Sequence, residues 1–575
     1  MREDQDVAES SASNPSSVVA ATVLDELRRH GLRDVVLAPG SRSAPLALAA
    51  HAADRAGTLR LHVRIDERSA GFLALGIAKS SRRMVAVVTT SGTAVANLHP
   101  AVLEANHACV PLVVLSADRP TELRGTGSNQ TTDQVKLFGD AVRWYAELPA
   151  ETTLPDQPPA ASSLGAAIRS TVSRCVARAR GAPGGLPGPV HLNVAFREPL
   201  VPGSDAARPL PGRAGVAPWT VVADSQPGEP ATLPLGPRTV VVAGDDAGPP
   251  LRILAQNADW PLLAEPSSGS RTGGHSIGAY RMLLDHPPLA DRIERVVVGG
   301  HCTLSRPVSR LLARDDVDVI VVARGDYPDP GHRAARVVHS ATVERPDDPT
   351  WLDEWRAADQ LASEVIDKTL ATEPGLTPYA VAQAVSSSVP AGGLLFVGSS
   401  NPIRDLDLMA VSPSPGGHRL VLANRGLSGI DGTVSAAIGA ALGRPSTKAL
   451  AYLGDLTFLH DSNGLVIGPD EPHPDLTIVV ASDDGGSIFA LLEQGDDAYA
   501  ESFERVFGTP TGVEIGVLCA AVGVDHVLVK DELALRHELA TVPPGIRVVE
   551  ARVDRRDRRA LDARLRSNVL EALGG

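Results

Sequence analysis

Two carboxylates 28 residues apart, Asp455 and Asp483, carry the clearest chemical suggestion in this sequence. Each ends a strand-like apolar run, Ala449–Leu453 before Gly454-Asp455 and Leu476–Ala481 before Asp483-Asp484-Gly485. Loops that follow the strands of an α/β sheet are where ligands bind. Two carboxylates and a free backbone carbonyl converging there suit Mg²⁺, which takes oxygen ligands and completes its shell with substrate phosphates. Either half alone reads more readily as an acidic turn at a strand end. The spacing, and a third carboxylate upstream, favour the metal.

That third carboxylate is Glu67, in Arg64-Ile65-Asp66-Glu67-Arg68. It stands between the strand-like Leu59–Ile65 and an amphipathic helix running to about Lys79. Several strand-to-helix turns could hold anions. Pro39-Gly40-Ser41-Arg42-Ser43 offers backbone N–H groups at a helix start and an arginine able to grip a carboxylate with two bonds. Ser41 or Ser43 as a plain helix cap is the alternative there. Thr89-Thr90-Ser91-Gly92-Thr93 and Ser116-Ala117-Asp118-Arg119-Pro120, followed by Asn129-Gln130, are comparable turns. Further on stand Ser399-Ser400-Asn401-Pro402-Ile403-Arg404 and Asn424-Arg425 through Ile430 to Gly432. Five arginines at such positions (Arg42, Arg119, Arg306, Arg404, Arg425) fit a substrate set rich in carboxylates.

The elements that must position these residues alternate strand and helix, which reads as α/β: three α/β domains with parallel sheets covered by helices. The chain of 575 residues is too long for one core. A Ser-rich acidic lead-in spans 1–17, unlike a signal peptide. The first domain covers 18–200, with strands Asp34–Ala38, Val85–Thr90, Val110–Ser116 and Val190–Val194 and helices Ala44–His51, Ser69–Ser80 and Thr93–His107. A Pro-rich linker follows at 201–238. A smaller central domain covers 239–341, with strands Thr239–Ala243, Arg295–Gly300 and Asp318–Ala323. A connector at 342–372 leads to the last domain, 373–575. Its strands are Gly393–Val397, Arg419–Ala423, Ala449–Leu453, Leu476–Ala481 and Ile546–Glu550.

Composition narrows the function. Apolar residues are 43% and charged residues 21% of the chain, an ordinary soluble balance. The net charge of −14 argues against a nucleic acid or an anionic membrane as partner. Four scattered cysteines (Cys109, Cys175, Cys302, Cys519) have no ligand or redox spacing and read as reduced thiols of a cytoplasmic protein. No apolar run reaches membrane-spanning length. Walker A, Gly-x-Ser-x-Gly, His-Glu-x-x-His and clean dinucleotide patterns are missing from the sequence.

Glu67 in the first domain and the Asp455/Asp483 pair in the last resemble the thiamine diphosphate (ThDP) enzymes. Their metal motif usually reads Gly-Asp-Gly, then 25–30 residues, then Asn-Asn; here Leu456 replaces the second glycine and Ser482-Asp483 the asparagines. A more specific resemblance is to the SEPHCHC synthases of menaquinone biosynthesis (2-succinyl-5-enolpyruvyl-6-hydroxy-3-cyclohexene-1-carboxylate synthases). The strings that carry it are Pro-Gly-Ser-Arg-Ser (39–43), Asp-Glu-Arg (66–68), Ser-Ala-Asp-Arg-Pro (116–120), Asn-Gln (129–130) and Ser-Asn-Pro-Ile-Arg (400–404). Asn-Arg-Gly-x-Ser-Gly-Ile-Asp-Gly (424–432), Gly-Asp-Leu-Thr (454–457) and Gly-Gly-Ser-Ile-Phe (485–489) complete the set.

The resemblance implies pyrimidine- and diphosphate-binding domains flanking the central one. It implies that Glu67 bonds the cofactor pyrimidine at N1′, so that the cofactor's own N4′ acts as base. Asp455, Asp483 and the Gly485 carbonyl would hold Mg²⁺, or Mn²⁺ in its place. Ser91, Gly92, Gly454, Leu456, Thr457 and Gly486 would cradle the cofactor, and Ile430 would wedge it into a bent shape. Ser41, Arg42, Arg119, Gln130, Ser400, Arg404 and Arg425 would line the substrate pocket, with Ile488, Phe489 and Leu492 as its apolar wall. Arg306 would reach in from the central domain, where the family has Lys-Arg and this chain Ser305-Arg306.

The implied reaction decarboxylates 2-oxoglutarate and adds the resulting succinic semialdehyde–ThDP carbanion to isochorismate in a 1,4-addition. The family pairs subunits, so a homodimer or homotetramer is implied. Rival readings are another ThDP-dependent 2-oxoacid decarboxylase or carboligase, and a non-catalytic paralogue that senses ThDP or a carboxylate. No His-His pair of the decarboxylases and no phosphate loop for FAD in the central domain stand in the sequence.

Overall fold

The computed structural model describes residues 14–154, 160–202, 207–223, 228–410, 412–413 and 417–574. The chain divides into two compact units, residues 1–225 with 466–472, and residues 226–465 with 473–575.

The first unit is built on a six-stranded, all-parallel sheet. Its order runs Arg60–Val63, Asp34–Leu37, Val85–Thr89, Leu112–Asp118, Val190–Ala195, Tyr145–Leu148. The inner strands are buried along their full length, as β-branched runs covered on both faces must be. Helices Pro15–Arg29 and Ala160–Ala179 pack over one continuous apolar cluster with those strands. The first of these helices begins inside the span expected as a lead-in. Asn14 caps it by accepting from Ser16 N, and Pro15 occupies the first helical position. Residues 1–13 of that lead-in lie outside the described residues.

The second unit holds two large parallel sheets and a two-stranded parallel pair, Ala231–Thr232 with Ala341–Thr342. One has five strands in the order Ala334–Val338, Asp318–Val322, Arg295–Gly299, Thr239–Ala243, Leu262–Ala264. The other has six: Leu420–Ala423, Leu394–Val397, Ala449–Gly454, Leu476–Ser482, Ile546–Arg552, Asp525–Val529. A single apolar cluster runs through both, joined by the helix Thr350–Leu370, whose Trp351 and Trp355 rings meet edge-on at 5.8 Å.

Numbering each six-stranded sheet by chain order gives 2-1-3-4-6-5 for both. The two sheets therefore present equivalent loops at the carboxyl ends of equivalent strands. No sequence repeat advertises this.

One expectation needs correction. The helix expected over Thr93–His107 is two helices, Thr93–Ala96 and His99–His107. Pro100 cannot donate to the carbonyl of Ala96 and its ring crowds that oxygen, so the helix breaks there. Where it is described, part of the stretch expected as a linker over 201–238 is bonded to the first unit. Arg169 donates to the carbonyls of Leu210 and Pro211, and Arg29 Nη1 to those of Arg213, Gly215 and Ala217, each at 3.0 Å in the latter three. Backbone carbonyls that proline-rich sequence leaves unpaired are taken up by buried or half-buried arginines.

Candidate active site

In both six-stranded sheets the candidate residues stand at the carboxyl ends of strands 1 to 4, the edge where α/β sheets bind ligands. In the first unit, strand 1 leads to Ser41 and Arg42, strand 2 to Glu67, strand 3 to Ser91 and Gly92, and strand 4 to Arg119 and Gln130. In the second unit, strand 1 leads to Ser400 and Arg404, strand 2 to Arg425 and Ile430, strand 3 to Asp455, and strand 4 to Asp483 and Gly485. Glu67 and the two metal-type aspartates thus belong to different units.

Within the first unit, four of the expected residues meet. Arg119 Nη1 donates to Ser91 Oγ, Ser91 Oγ donates to the Gln130 carbonyl at 3.0 Å, and Gln130 Nε2 returns a bond to the Ser91 carbonyl at 3.0 Å. Gln130 adopts a left-handed φ of 54° to close this loop, and Gly92 a φ of 88°. Arg42 donates through Nη1 to the Phe196 carbonyl at 3.0 Å, while its Nε is buried without a partner. Burial, and then the charge of Arg42 beside it, push the Arg119 guanidinium down from its ordinary range. Two buried guanidiniums whose nearest ion-pair partner is an exposed carboxylate, Glu198 at 3.5 Å from Arg42, fit an anionic ligand. Ser41 stands exposed at the mouth of the same turn.

Glu67 opens the helix Glu67–Ser81, with Asp66 as its cap accepting from Ser69 N at 3.1 Å. The half-buried Glu67 carboxylate accepts a long bond, 3.5 Å, from Asn97 Nδ2. Asn97 ends the short helix Thr93–Ala96 that Gly92 starts, so Glu67 lies beside the far end of that helix. The strand before it is anchored by Glu471, which accepts from Val63 N at 2.7 Å and pairs with Arg64 at 3.6 Å.

One residue absent from the sequence-based set holds this half together. Gln134, fully buried, accepts from Gly92 N at 3.0 Å and donates to the Ala117 carbonyl and to Asn193 Oδ1 at 3.2 and 2.9 Å. Asn193 and His191 in turn flank Ser116 Oγ, each at 2.7 Å. Burial drives the His191 acid down to about 3, so its ring is neutral. Nothing in the local sequence marks Gln134. Its partners come from two distant strands and from the loop that follows a third.

In the second unit, Asp455 is buried at the end of Ala449–Gly454 and accepts from its neighbour Leu456 N at 2.6 Å and from Gly485 N at 3.1 Å. Burial raises its acid despite these bonds. Burial also raises Asp483, to about 7, and the charge of Asp455 adds to that. Two carboxylates that resist ionising side by side fit a cation. Among the described residues no group of three or more His, Cys, Asp or Glu side chains forms a metal cluster. The oxygen groups gathered at this turn are the two carboxylates and the backbone around Gly485. Thr457 is buried beneath this turn, and Gly454 and Leu456 are half-buried.

The 485–492 loop packs tightly. A Cβ on Gly485 would collide with the Gly508 carbonyl oxygen, and one on Gly486 with that of Phe507. Asn401 Nδ2 donates to Ser487 Oγ at 2.8 Å, and Ser487 in turn bonds Asp483. The strand-1 loop and the metal-type loop are thereby linked. Phe489 stacks at 5.7 Å on Phe507, with Ile488 and Leu492 half-buried alongside.

Three expected arginines of this unit converge. Arg404 donates to the Ser400 carbonyl at 2.7 Å, and Arg425 Nη2 to Thr303 Oγ1 and the Thr303 carbonyl at 2.8 and 3.3 Å. Burial lowers the Arg404 guanidinium first, then the charges of Arg425, Arg281 and Arg306. Arg425 Nε and both amide atoms of Asn424 are buried with no protein partner. Orphaned donors beside an excess of positive charge fit an anionic ligand. Ile430, half-buried, offers its carbonyl to Thr433 Oγ1 at 2.9 Å at the start of helix Thr433–Gly443.

The five-stranded sheet has its own switch point, between Thr239–Ala243 and Arg295–Gly299, where an open α/β sheet would take a dinucleotide. It is zipped shut. Gly244 N donates to the Gly299 carbonyl at 2.9 Å, and Asp245 and His301 exchange backbone bonds at 3.0 and 2.9 Å.

The comparisons agree with this anatomy. The family described as thiamine pyrophosphate enzyme, N-terminal TPP binding domain, matches residues 18–137. Over nearly its whole length the chain is similar to proteins named 2-succinyl-5-enolpyruvyl-6-hydroxy-3-cyclohexene-1-carboxylate synthase. Identity is 53% over 578 residues with that of Nocardioides sp., spanning 97% of this chain and 98% of the relative. It is 51% over 561 residues for Kineococcus radiotolerans, 95% and 97% of the two chains. For Saccharopolyspora erythraea it is 48% over 579 residues, 98% and 100%. With two sheets of one topology, a carboxylate loop in the first and a paired-aspartate loop in the last, the chain belongs to the 2-succinyl-5-enolpyruvyl-6-hydroxy-3-cyclohexene-1-carboxylate synthase family of thiamine pyrophosphate enzymes.

Proposed function

We propose that this chain uses ThDP and Mg²⁺ to decarboxylate 2-oxoglutarate and to join the four-carbon remainder to isochorismate, releasing CO₂ and yielding SEPHCHC. The observation that carries the substrate assignment is the gathering of arginines at strand ends. Arg42 and Arg119 pair in the first unit, where the exposed Glu198 lies 3.5 Å from Arg42, and Arg404 stands with Arg425, Arg281 and Arg306 in the second, where Asp405 is the one opposing charge acting on it. Both substrates are dicarboxylates, and such sets answer them with charge-assisted, two-pronged bonds.

Bound ThDP supplies a nucleophilic carbon and an electron sink. The protein does the rest. Glu67 would share a proton with the pyrimidine N1′, a role open to a half-buried carboxylate that has only a 3.5 Å bond from Asn97. Asp455, Asp483 and the Gly485 carbonyl would hold Mg²⁺ on the diphosphate, with Ser91, Gly92, Gly454, Leu456, Thr457 and Gly486 around the cofactor and Ile430 supporting it. Ser41, Gln130 and Ser400 would orient substrate, and Ile488, Phe489 and Leu492 would keep water from the reacting centre. A homodimer is the working unit in this reading, Glu67 of one copy serving the aspartate pair of another, and the protein acts in the cytoplasm.

The test mixes purified protein with ThDP, Mg²⁺, 2-oxoglutarate and isochorismate and follows loss of isochorismate absorbance, with Glu67→Gln alongside. Consumption that needs both substrates and collapses about 100-fold or more in the variant supports the reading. CO₂ release without isochorismate use points to a simple decarboxylase. ThDP binding with no turnover points to a sensor.

A further inference from the structure

We infer that Glu265 is a positioning residue, a buried carboxyl that sets the Thr303–Arg306 loop and through it aims two substrate-binding arginines, Arg306 and Arg425. The inference rests on the proposed substrate role of those arginines.

Glu265 follows the short strand Leu262–Ala264 of the five-stranded sheet, and only 3% of it is exposed. Its Oε1 accepts from two consecutive backbone amides, Thr303 N at 3.1 Å and Leu304 N at 3.0 Å. Those amides precede the helix Arg306–Leu312, with Ser305 as its cap residue. The same Thr303 supplies both acceptors, Oγ1 and carbonyl, for Arg425 Nη2. One carboxyl oxygen thus holds the backbone on which one arginine is mounted and against which a second is braced. Among the described residues Glu265 is the one side chain that accepts from these two amides.

Its second oxygen, Oε2, is buried with no protein partner. An ionised carboxylate left so would be costly, whereas a protonated one is neutral. Burial raises the acid to about 8, and the nearby Asp407 and Asp245 charges add to that. Glu265 accordingly works as a neutral acceptor, and a neutral amide of the same shape should replace it.

The test measures kcat and KM for both substrates in wild type, Glu265→Gln, Glu265→Met and Thr303→Val. Glutamine keeps the acceptor oxygen, and methionine keeps the length without it. Thr303 is exposed, so Thr303→Val folds whatever Glu265 does, and it removes one acceptor of Arg425. The expected result is a KM raised about tenfold or more for one or both dicarboxylates in Glu265→Met, with kcat changed far less. Thr303→Val shifts KM in the same direction, and Glu265→Gln stays within about threefold of wild type. Glutamine as impaired as methionine overturns the inference, as does an unchanged KM in Thr303→Val. A fall in kcat alone overturns it too. Inactive wild type instead sinks the proposed function, which separates the two failures.

Discussion

Gly485 N donates to Asp455 Oδ2 at 3.1 Å, so the two loops expected to share a metal are fastened to each other without one. Asp455 therefore has two tasks, clamping the loop and offering charge, while Asp483 has chiefly the second. The paired substitutions should separate them. Asp455→Ala should cost about 1–3 kcal/mol of stability in denaturant melts, from amides left unpaired, and abolish Mg²⁺-dependent ThDP binding. Asp483→Asn keeps an oxygen ligand and removes a repelling charge. Calorimetry should find its ThDP affinity within about tenfold of wild type, a difference of about 1.4 kcal/mol. Equal loss in both variants would contradict this division.

Much of this was legible in the sequence, for reasons that differ by residue. Inner strands such as Thr239–Ala243 announce themselves because burial on both faces demands unbroken β-branched runs. In the five- and six-stranded sheets the strands that escaped notice, Tyr145–Leu148, Leu262–Ala264, Ala334–Val338 and Asp525–Val529, are all at sheet edges, and three of the four are half-buried or exposed along most of their length. Loop residues such as Arg404 and Asp455 could be read because they follow inner strands directly. Gln134 and Glu265 could not. Their meaning lies in partners 17 to 59 and 38 to 39 residues away, which only the fold brings near.

The Gly485 backbone should tolerate no side chain. A Cβ there meets the Gly508 carbonyl oxygen and lies 2.5 Å from Arg555 Nη1. The arginine can swing aside, but the carbonyl belongs to backbone that Gly486 N already grips at 2.7 Å. Gly485→Ala should therefore cost about 1–3 kcal/mol and weaken metal–ThDP binding more than stability. Thermal melts with and without Mg²⁺ and ThDP read both. A variant that keeps the full ligand-induced shift would contradict the collision.

The arginine cluster should respond to anions before any chemistry occurs. Arg404 is half-buried and feels the charges of Arg425, Arg281 and Arg306. A dicarboxylate such as 2-oxoglutarate should raise the melting temperature of the wild type, and salt should diminish the effect. In Arg404→Ala the shift should shrink at least severalfold while the melting temperature without ligand holds or rises, since one repelling charge is gone. An undiminished shift would place the carboxylate elsewhere.

Glu265 should leave a mark on stability as well as on KM. Its acid lies near 8 in the folded protein against an ordinary 4.5, so the folded state keeps a proton that the unfolded chain has released. Unfolding then sheds a proton, and by linkage stability falls as pH rises from about 4.5, levelling off above about 8. Asp407 and Asp245 press in the same direction and Arg425 opposes them; the neighbouring Tyr280 and Cys302 feel the Glu265 charge in turn. These groups remain in Glu265→Gln, which lacks only the titrating proton. The variant should match or fall slightly below the wild type near pH 5. Its advantage should then widen toward pH 8, reaching a few kcal/mol at most, and stay constant beyond. Melting curves of both proteins across that window decide it, because parallel pH profiles would mean that Glu265 is already ionised in the fold and holds the Thr303 loop as a charge.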